Sequence, residues 1–215
     1  MRKVILFDWG GVVETSYMEY STIRDIMYSL GFTNVDEELI YEKFHVNSGT
    51  SLFDTLTNEE DYNKTLKEFL KLFSGDIEVT DEIVEKYKEI YSSVMVNNPY
   101  YQDVSEFAQS LSDRCEIGIL SNVQLVDKKR QNRHLNYDSF KYVFLSCDIG
   151  LAKPGREIFL YVNEKIGDAE ILFLDDNENN LKVPRELGWK TYQVQKGGDI
   201  DNIKRVCNEF LGGEE

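Results

Sequence analysis

The sequence has few basic residues relative to its acidic ones. Lys and Arg number 24 against 39 Asp and Glu, so that the formal net charge of the 215 residues is −15. The average field of such a protein repels polyanions, and we therefore expect no nucleic-acid partner. A small phosphorylated substrate is still compatible with this charge if it binds at a local site that contains a metal ion.

Long apolar runs and paired cysteines are also missing. The first apolar stretch, "VILF", ends at Asp8 and is too short for a signal peptide or a membrane span, and no later segment is long enough either. The three cysteines, Cys115, Cys147 and Cys207, are an odd number without metal-ligand spacing, which favours buried thiols over a disulfide framework. We expect a cytoplasmic, soluble protein with no membrane partner.

The residues that are abundant predict a folded α/β protein. The apolar fraction is 41%, with 12 Phe and 13 Tyr, which is typical of a globular core. Compact apolar runs predict five buried parallel strands, at 3–8, 116–121, 142–146, 170–175 and 190–194. Helical patterns lie between them, at 103–112, 124–134, 155–166 and 178–187. This alternation predicts a doubly wound parallel sheet with right-handed crossovers.

The segment of residues 16–98 interrupts the alternation. It has no comparable strand run, and its amphipathic patterns predict helices near 18–30, 36–45, 59–73 and 81–96, the third preceded by a capping box, "TNEE", that starts at Thr57. We therefore expect an α/β core made of residues 1–15 and 99–215, with residues 16–98 inserted as a helical cap subdomain.

Polar and charged residues follow the ends of the predicted strands. In a parallel sheet of this kind, ligands bind beyond the carboxyl ends of the strands, so these side chains should meet at one edge. The residues concerned are Asp8, Gly10 and Gly11 after the first strand, Ser121 and Asn122 after the second, Lys153 after the third, and Asp175 and Asp176 after the fourth.

This set of side chains suits phosphoryl transfer through a covalent intermediate. Asp8, Asp175 and Asp176 would repel one another unless a hard cation such as Mg²⁺ lay among them. With that charge shielded, Asp8 can attack phosphorus as a nucleophile. Lys153 can neutralise phosphoryl oxygens, and Ser121 with nearby backbone amides can donate hydrogen bonds to them.

Four stretches in this order, "FDWGGVV", "ILSN", "LAKPGREIF" and "FLDDNENN", resemble the four motifs of the haloacid dehalogenase superfamily. The resemblance spans about residues 3–194 and implies a Rossmann-like core, a C1-type helical cap at 16–98 and a Mg²⁺ cofactor. It implies a catalytic set, Asp8, Ser121 and Lys153, a phosphate-binding set of Gly10, Gly11, Ser121, Asn122 and Lys153, and metal ligands Asp8, the Gly10 carbonyl, Asp175 and Asp176, supported by Asn180.

Gly10 is a departure from the superfamily pattern. Most of its phosphatases have a second Asp two residues after the nucleophile, which acts as general acid and base, and losing such help typically slows turnover about 10²- to 10⁴-fold. The form "D-x-G-G-V" also resembles bacterial sugar-phosphate phosphatases, including α-glucose-1-phosphate phosphatases. We therefore expect a Mg²⁺-dependent phosphomonoester hydrolase acting on a small phosphorylated metabolite, as a monomer or weak homodimer.

Alternative interpretations remain at this point. A 2-haloacid dehalogenase also attacks with an Asp, lacks the second Asp and needs no metal, although the paired acids of "LDDN" favour the phosphatase. A phosphate-binding or regulatory protein with low turnover is compatible with Gly10. His45, in the predicted cap, is either a replacement acid and base or a histidine packed beside Phe44. Pro184 lies inside a predicted helix, which it should kink or delay.

Overall fold

The computed structural model describes residues 1–15, 19–47, 50–95, 99–128, 137–195 and 199–213. Its strands, in chain order, are β1 (Lys3–Phe7), β2 (His45–Asn47), β3 (Thr50–Ser51), β4 (Glu116–Ser121), β5 (Tyr142–Leu145), β6 (Glu170–Asp175) and β7 (Lys190–Gln193). Its α-helices, in chain order, are α1 (Tyr20–Ser29), α2 (Glu37–Phe44), α3 (Glu59–Lys71), α4 (Asp81–Met95), α5 (Gln102–Ser110), α6 (Ser146–Ile149), α7 (Arg156–Ile166), α8 (Glu178–Glu186) and α9 (Ile200–Leu211). Residues 125–128 are helical as well.

Five strands form one parallel sheet in the order β5-β4-β1-β6-β7, with β1 at its centre. Both faces of this sheet are covered. Ile5 and Phe7 of β1 pack in a buried cluster with residues of α5 and α9, whereas Val4 and Leu6 pack on the other face with residues of α7 and α8. Continuous apolar runs therefore form the strands because alternate side chains enter two different cores.

Helices α1 to α4 bury a third apolar cluster of their own, which includes Met27, Ile40, Phe69 and Tyr91. The N-termini of α2 and α3 are capped by side chains: Asp36 accepts hydrogen bonds from two backbone amides of α2, and Asn58 accepts one from Asp61 N. The cap residue of α3 is thus Asn58, and the prediction that Thr57 starts a capping box is wrong.

The predicted α/β fold with a doubly wound parallel sheet is confirmed. The sequence predicted only helices within residues 16–98, and this prediction is wrong. Strands β2 and β3 form an antiparallel hairpin there, in which His45 pairs with Ser51. Helix α8 continues through Pro184 and ends at Glu186, without the delayed start that proline suggested. Within the described residues, no helix is both long and apolar enough to cross a bilayer.

Two sequence-based expectations lie partly outside the described residues. The boundaries of the predicted cap fall in segments 16–18 and 96–98, so the division into core and cap stays a prediction. The predicted helix at 124–134 is helical at 125–128, and its remainder lies outside the described residues.

Candidate active site

The carboxyl ends of β1, β4 and β6 surround an open cavity of about 270 Å³. Parallel pairing of these strands places their final residues side by side, as the sequence predicted. Residues of the predicted site that line the cavity are Asp8, Gly10, Ser121, Asn122, Lys153, Asp176 and Asn180. Most of the predicted site therefore faces one common space.

Lys153 lies at the bottom of this site and is 1% exposed. Its Nζ lies 2.9 Å from Asp8 Oδ1 and 2.6 Å from Asp175 Oδ2. Burial by itself would lower the pKa of Lys153, but the adjacent charges of Asp175 and Asp8 raise it above its ordinary value. The lysine is therefore a fixed cation that joins the ends of β1 and β6.

Asp8 is buried at the end of β1. Its backbone N–H donates to Leu174 O at 2.8 Å, and its Oδ1 accepts a hydrogen bond from Trp9 N at 2.7 Å. Burial is the largest cause that raises the pKa of Asp8 to about 7; the Lys153 charge lowers it, while the charges of Asp175 and Asp176 raise it further. A second cation beside Asp8 would offset that burial and repulsion.

Asp175 and Asp176 have different surroundings. Asp175 is fully buried and accepts hydrogen bonds from Asn177 N at 2.8 Å and from Asn180 Nδ2, which lies 3.0 Å from each carboxylate oxygen. Asp176 is half-buried and lines the cavity. Asp175 therefore holds the end of β6 in place, and Asp176 is the acid of the pair that faces the cavity.

The local chemistry suits a hard divalent cation. Asp8, Asp175 and Asp176 each offer a carboxylate oxygen, and these oxygens lie within 4.8 Å of one another. Asn180 Oδ1 is buried, and no described residue donates a hydrogen bond to it. The three carboxylate oxygens can ligate a metal ion, and Asn180 Oδ1 can accept a hydrogen bond from a water bound to it. This arrangement fits Mg²⁺ and its bound waters.

The two glycines after Asp8 differ in their surroundings. Gly11 has a φ of 78° and donates its N–H to Glu14 O at 2.7 Å, so it shapes the turn that follows β1. The turn is closed by Trp9 Nε1, which donates to Glu14 Oε2 at 2.6 Å in the core. Gly10 lines the cavity, while the Gly11 amide is used within the turn, and a phosphate contact from Gly11 stays a prediction.

Ser121 and Asn122 end β4 beside the lysine. Ser121 is buried and lines the cavity. Asn122 Nδ2 donates to Lys153 O at 2.9 Å, and Asn122 Oδ1 accepts from Lys153 N at the same distance of 2.9 Å. The observed contacts of Asn122 thus fix the backbone from which the Lys153 side chain extends.

The segment 16–98 contributes residues to the cavity wall. Of these, His45 was considered as a candidate from the sequence, and the others were not identified. Phe44, His45, Ser51 and Asp54 line the cavity from this side, together with Gln124 and Asn177 from the sheet edge. Thr50 Oγ1 donates to Lys153 O at 2.6 Å and attaches the β2–β3 hairpin to the core. The only available signal was the S-x-x-D pattern of "SLFD", which is typical of a turn closed by its side chains.

Asp54 is part of that turn. Its Oδ2 accepts from Ser51 N at 2.7 Å and its Oδ1 from Ser51 Oγ at 2.9 Å. Burial raises the pKa of Asp54 to about 6, the two hydrogen bonds from Ser51 oppose this rise, and the charge of Asp127 adds to it. Asp54 is therefore a carboxyl group that exchanges a proton in mildly acidic solution.

Comparisons with known proteins agree with this geometry. A family model described as a haloacid dehalogenase-like hydrolase matches residues 2–188. The chain is 25% identical to a D-ribitol-5-phosphate phosphatase from Bacteroides thetaiotaomicron over 213 residues, which cover 93% of this chain and 95% of the relative.

Solved structures share the fold. A haloacid dehalogenase family enzyme from Bacteroides thetaiotaomicron, in complex with magnesium and inorganic phosphate, superposes with a TM-score of 0.71 at 22% identity, over 94% of this chain and 99% of that one. A 2-haloacid dehalogenase from Pseudomonas syringae gives a TM-score of 0.69 at 14% identity, over 98% and 100% of the two chains. At these identities the structures establish the fold alone.

Proposed function

The chain belongs to the haloacid dehalogenase-like hydrolases, and we propose that it is a Mg²⁺-dependent phosphatase that uses Asp8 to hydrolyse monoesters of small polyols or sugars. Its similarity to a phosphatase of ribitol 5-phosphate supports both the reaction type and a polyhydroxylated leaving group. The resemblance of its first motif to sugar-phosphate phosphatases points to the same class of substrate.

One observation carries the reaction type: Lys153 Nζ is within 2.9 Å of Asp8 and 2.6 Å of Asp175 in a site that also holds Asp176. A buried cation beside a nucleophilic carboxylate is the arrangement that phosphoryl transfer needs, because charge on the phosphoryl oxygens must be compensated while Asp8 attacks. A phosphate dianion would otherwise be repelled by the acids.

Asp8, the Gly10 carbonyl and Asp176 would hold Mg²⁺, with Asp175 and Asn180 supporting them. When bound, the ion supplies positive charge that lets a phosphate approach the carboxylates and orients it. The remaining chemistry belongs to the chain. Asp8, oriented by Trp9 N–H, attacks phosphorus, and the bond between phosphorus and the leaving oxygen breaks.

The aspartyl-phosphate on Asp8 is then hydrolysed. Water attacks its phosphorus, the bond to the Asp8 oxygen breaks, and inorganic phosphate leaves with the carboxylate restored. Lys153 and Ser121 would contact the phosphoryl oxygens in both steps. Asn122 keeps Lys153 in position through its two backbone hydrogen bonds.

The proposed cap, residues 16–98, would select the leaving group and exclude water. Two contacts support this role: Thr50 Oγ1 donates to Lys153 O at 2.6 Å, and Tyr62 OH donates to Gln124 Oε1 at 3.0 Å. Both attach the segment to the rim of the cavity rather than to a distant surface. Closure of such a segment over substrate is a common way to protect a covalent intermediate.

The test is a screen for phosphate release from polyol phosphates, aldose phosphates and other metabolite monoesters, with Mg²⁺ and with a chelator. We expect release that needs both Mg²⁺ and Asp8, with the Asp8→Asn protein as the blank. Equal rates for the two proteins would contradict catalysis by Asp8. A retained beryllofluoride adduct at Asp8 without turnover would instead indicate a phosphate-binding protein.

The same preparation should also be assayed for halide release from 2-haloacids in the absence of metal. The paired acids Asp175 and Asp176 and the unused acceptor Asn180 Oδ1 favour the metal-dependent reaction. Halide release that persists in chelator, together with no phosphate release in Mg²⁺, would identify a dehalogenase.

A further inference from the structure

The leaving group of the proposed reaction needs a binding surface of its own. In-line displacement puts the leaving oxygen on the side of phosphorus opposite Asp8. Lys153 and Ser121 are assigned to the phosphoryl group, and Asp176 is assigned to the metal. The cavity of about 270 Å³ is slightly smaller than most ligand pockets, which range from about 300 to 1,000 Å³. A small leaving group would therefore be recognised by polar cavity residues that have no role so far.

Gln124 is one of these residues. It follows the end of β4, and it lines the cavity although only 8% of it is exposed. Its Oε1 accepts a hydrogen bond from Tyr62 OH at 3.0 Å. Tyr62 belongs to α3. The bond therefore joins the sheet edge to the segment 16–98, which would cover the leaving group.

This bond determines which end of the Gln124 amide is directed away from Tyr62. Burial is the largest cause that raises the pKa of Tyr62 well above its ordinary value, so the hydroxyl keeps its proton. Among the described residues, Gln124 Oε1 is the acceptor of that proton, and Tyr62 has no other. The reverse orientation of the amide would leave a buried hydroxyl proton without an acceptor, which is costly. Oε1 therefore points to Tyr62, and Nε2 points away from it.

Nε2 of Gln124 is available to a ligand. It donates no hydrogen bond to any described residue. It differs in this respect from His45 Nδ1, which is also unpaired within the described chain but is completely enclosed by protein. Because Gln124 lines the cavity and is otherwise buried, the accessible part of its side chain faces the cavity. The cavity wall thus has an unused hydrogen-bond donor that Tyr62 holds in place.

We propose that Gln124 is a specificity-determining residue whose Nε2 donates a hydrogen bond to a hydroxyl oxygen of the leaving group; this rests on the phosphatase function proposed above. A hydroxyl oxygen accepts such a bond, whereas an alkyl chain in the same place leaves the amide without a partner. A site that hydrogen-bonds a substrate hydroxyl rejects analogues without the hydroxyl for this reason. Gln124 thus favours polyol and sugar monoesters over alkyl monoesters.

The phosphoryl group is the competing partner for Nε2. The contact of Gln124 with Tyr62 favours the leaving group instead. Tyr62 packs against Phe53, with 5.2 Å between the ring centroids, and Phe53 precedes Asp54, which lines the cavity from the segment 16–98. The amide is therefore fixed beside the wall that this segment contributes, whereas the attacking carboxylate places phosphorus at the end of β1.

Two esters with the same carbon chain test the proposal. D-Ribitol 5-phosphate and n-pentyl phosphate both have five carbons, and only the first carries hydroxyl groups on its chain. Gln124→Met nearly keeps the length of the side chain and removes the donor. It should lower kcat/KM for the ribitol ester about 10-fold and change kcat/KM for the pentyl ester less than about twofold. The ratio of the two values is the measurement, because a general loss of activity cancels in it.

Tyr62→Phe tests the orientation of the amide. It keeps the Gln124 donor but removes the hydroxyl that holds it, so the ratio should fall about 2- to 5-fold. The double variant Tyr62→Phe/Gln124→Met leaves no buried hydroxyl without an acceptor. It should give the same ratio as Gln124→Met, and it replaces that variant if the single substitution does not fold.

Gln109→Met is the matched control. Gln109 lies on α5, its Nε2 donates to Ser105 Oγ at 3.3 Å, and it is not among the residues that line the cavity. The same chemical change at this position should leave the ratio unchanged. The melting temperature, measured with and without Mg²⁺ and inorganic phosphate, verifies that each variant folds and binds.

Equal losses of Gln124→Met with both esters would assign Nε2 to the phosphoryl group and overturn the inference. A ratio equal to that of Gln109→Met would overturn it as well. Wild-type protein that hydrolyses phosphate monoesters without preferring the ribitol ester to the pentyl ester would overturn the role of Gln124 and leave the phosphatase function intact. No phosphate release from any monoester would overturn the phosphatase function, and the role of Gln124 with it.

Discussion

Asn122 binds both backbone groups of Lys153, donating to its carbonyl and accepting from its N–H at 2.9 Å each. The pair ties the end of β4 to the loop that carries the lysine. Because Lys153 in turn contacts Asp8 and Asp175, the position of the buried ammonium group depends on the Asn122 side chain as well as on the two acids.

Asn122→Ala should therefore reduce both stability and catalysis. Loss of two hydrogen bonds should lower the free energy of unfolding by about 1 to 3 kcal/mol. A displaced Lys153 should lower kcat/KM for a phosphate ester about 10- to 100-fold, since small misplacements of a charge-compensating group are costly. Urea unfolding and steady-state kinetics measure the two effects.

Asn163→Ala is the control for this variant. Asn163 accepts a hydrogen bond from Trp189 Nε1 at 3.2 Å and is not among the residues that line the cavity. Its loss should lower stability by about 1 kcal/mol and leave kcat/KM unchanged. If Asn122→Ala behaved in the same way, Asn122 would have only a structural role.

Asp175→Asn should mainly lower the stability of the protein, whereas Asp176→Asn should mainly weaken Mg²⁺ binding. Asp175 is fully buried against Lys153, and neutralising one partner of a buried ion pair typically costs about 3 to 5 kcal/mol of stability. Asp176 is half-buried, so its replacement should change the free energy of unfolding by less than about 1 kcal/mol. It should weaken Mg²⁺ binding at least about 10-fold.

Urea unfolding in chelator and calorimetric titration of Mg²⁺ separate the two variants. The comparison is matched because the same chemical change is made at neighbouring positions. Unfolding curves that coincide for the two variants would show that the burial of Asp175 against Lys153 contributes no special stability.

The sheet and the edge that carries the candidate site were predictable because local patterns determine them. Strands β1, β4 and β6 are apolar runs whose side chains enter both cores, and β4 and β6 have the predicted bounds, residues 116–121 and 170–175. Asp8 and Lys153 could then be placed together without coordinates, since the carboxyl ends of parallel strands share one edge.

The wall opposite the sheet could not be predicted in this way. The two strands of the β2–β3 hairpin have only five residues, too few for an alternation of apolar and polar side chains to be recognised. The position of the hairpin depends on the hydrogen bond from Thr50 to Lys153. The sequence pattern predicted a helix as far as residue 45, whereas α2 ends at Phe44 and His45 begins β2. Contacts between distant segments, rather than local propensity, place this residue in the cavity.

Thr50→Val should loosen that hairpin. The substitution keeps the branched shape but removes the hydroxyl that donates to Lys153 O at 2.6 Å. Loss of about 1 kcal/mol should raise local opening about fivefold, seen as faster amide exchange in β2 and β3. Thr50→Ser keeps the hydroxyl and should exchange like the wild type; equal exchange in all three proteins would contradict the anchoring role.

Asp54 should make the stability of the protein depend on pH. Its pKa is raised from 3.8 to about 6 by burial, so the folded state binds a proton that the unfolded state has already released between these values. Stability from this group is therefore greatest below pH 4 and falls as pH rises towards 6. The full difference corresponds to about 3 kcal/mol, of which about 1 kcal/mol lies between pH 5 and pH 7.

Asp54→Asn has the same shape and cannot titrate, and it keeps an acceptor for Ser51 N. The free energy of unfolding, measured in urea at pH 5, 6 and 7, should therefore fall more steeply with pH for the wild type than for Asp54→Asn. Asp8 titrates in both proteins, so its effect cancels in the difference. Parallel slopes for the two proteins would mean that Asp54 keeps an ordinary pKa, because the effects that lower it, such as the hydrogen bonds from Ser51, balance its burial.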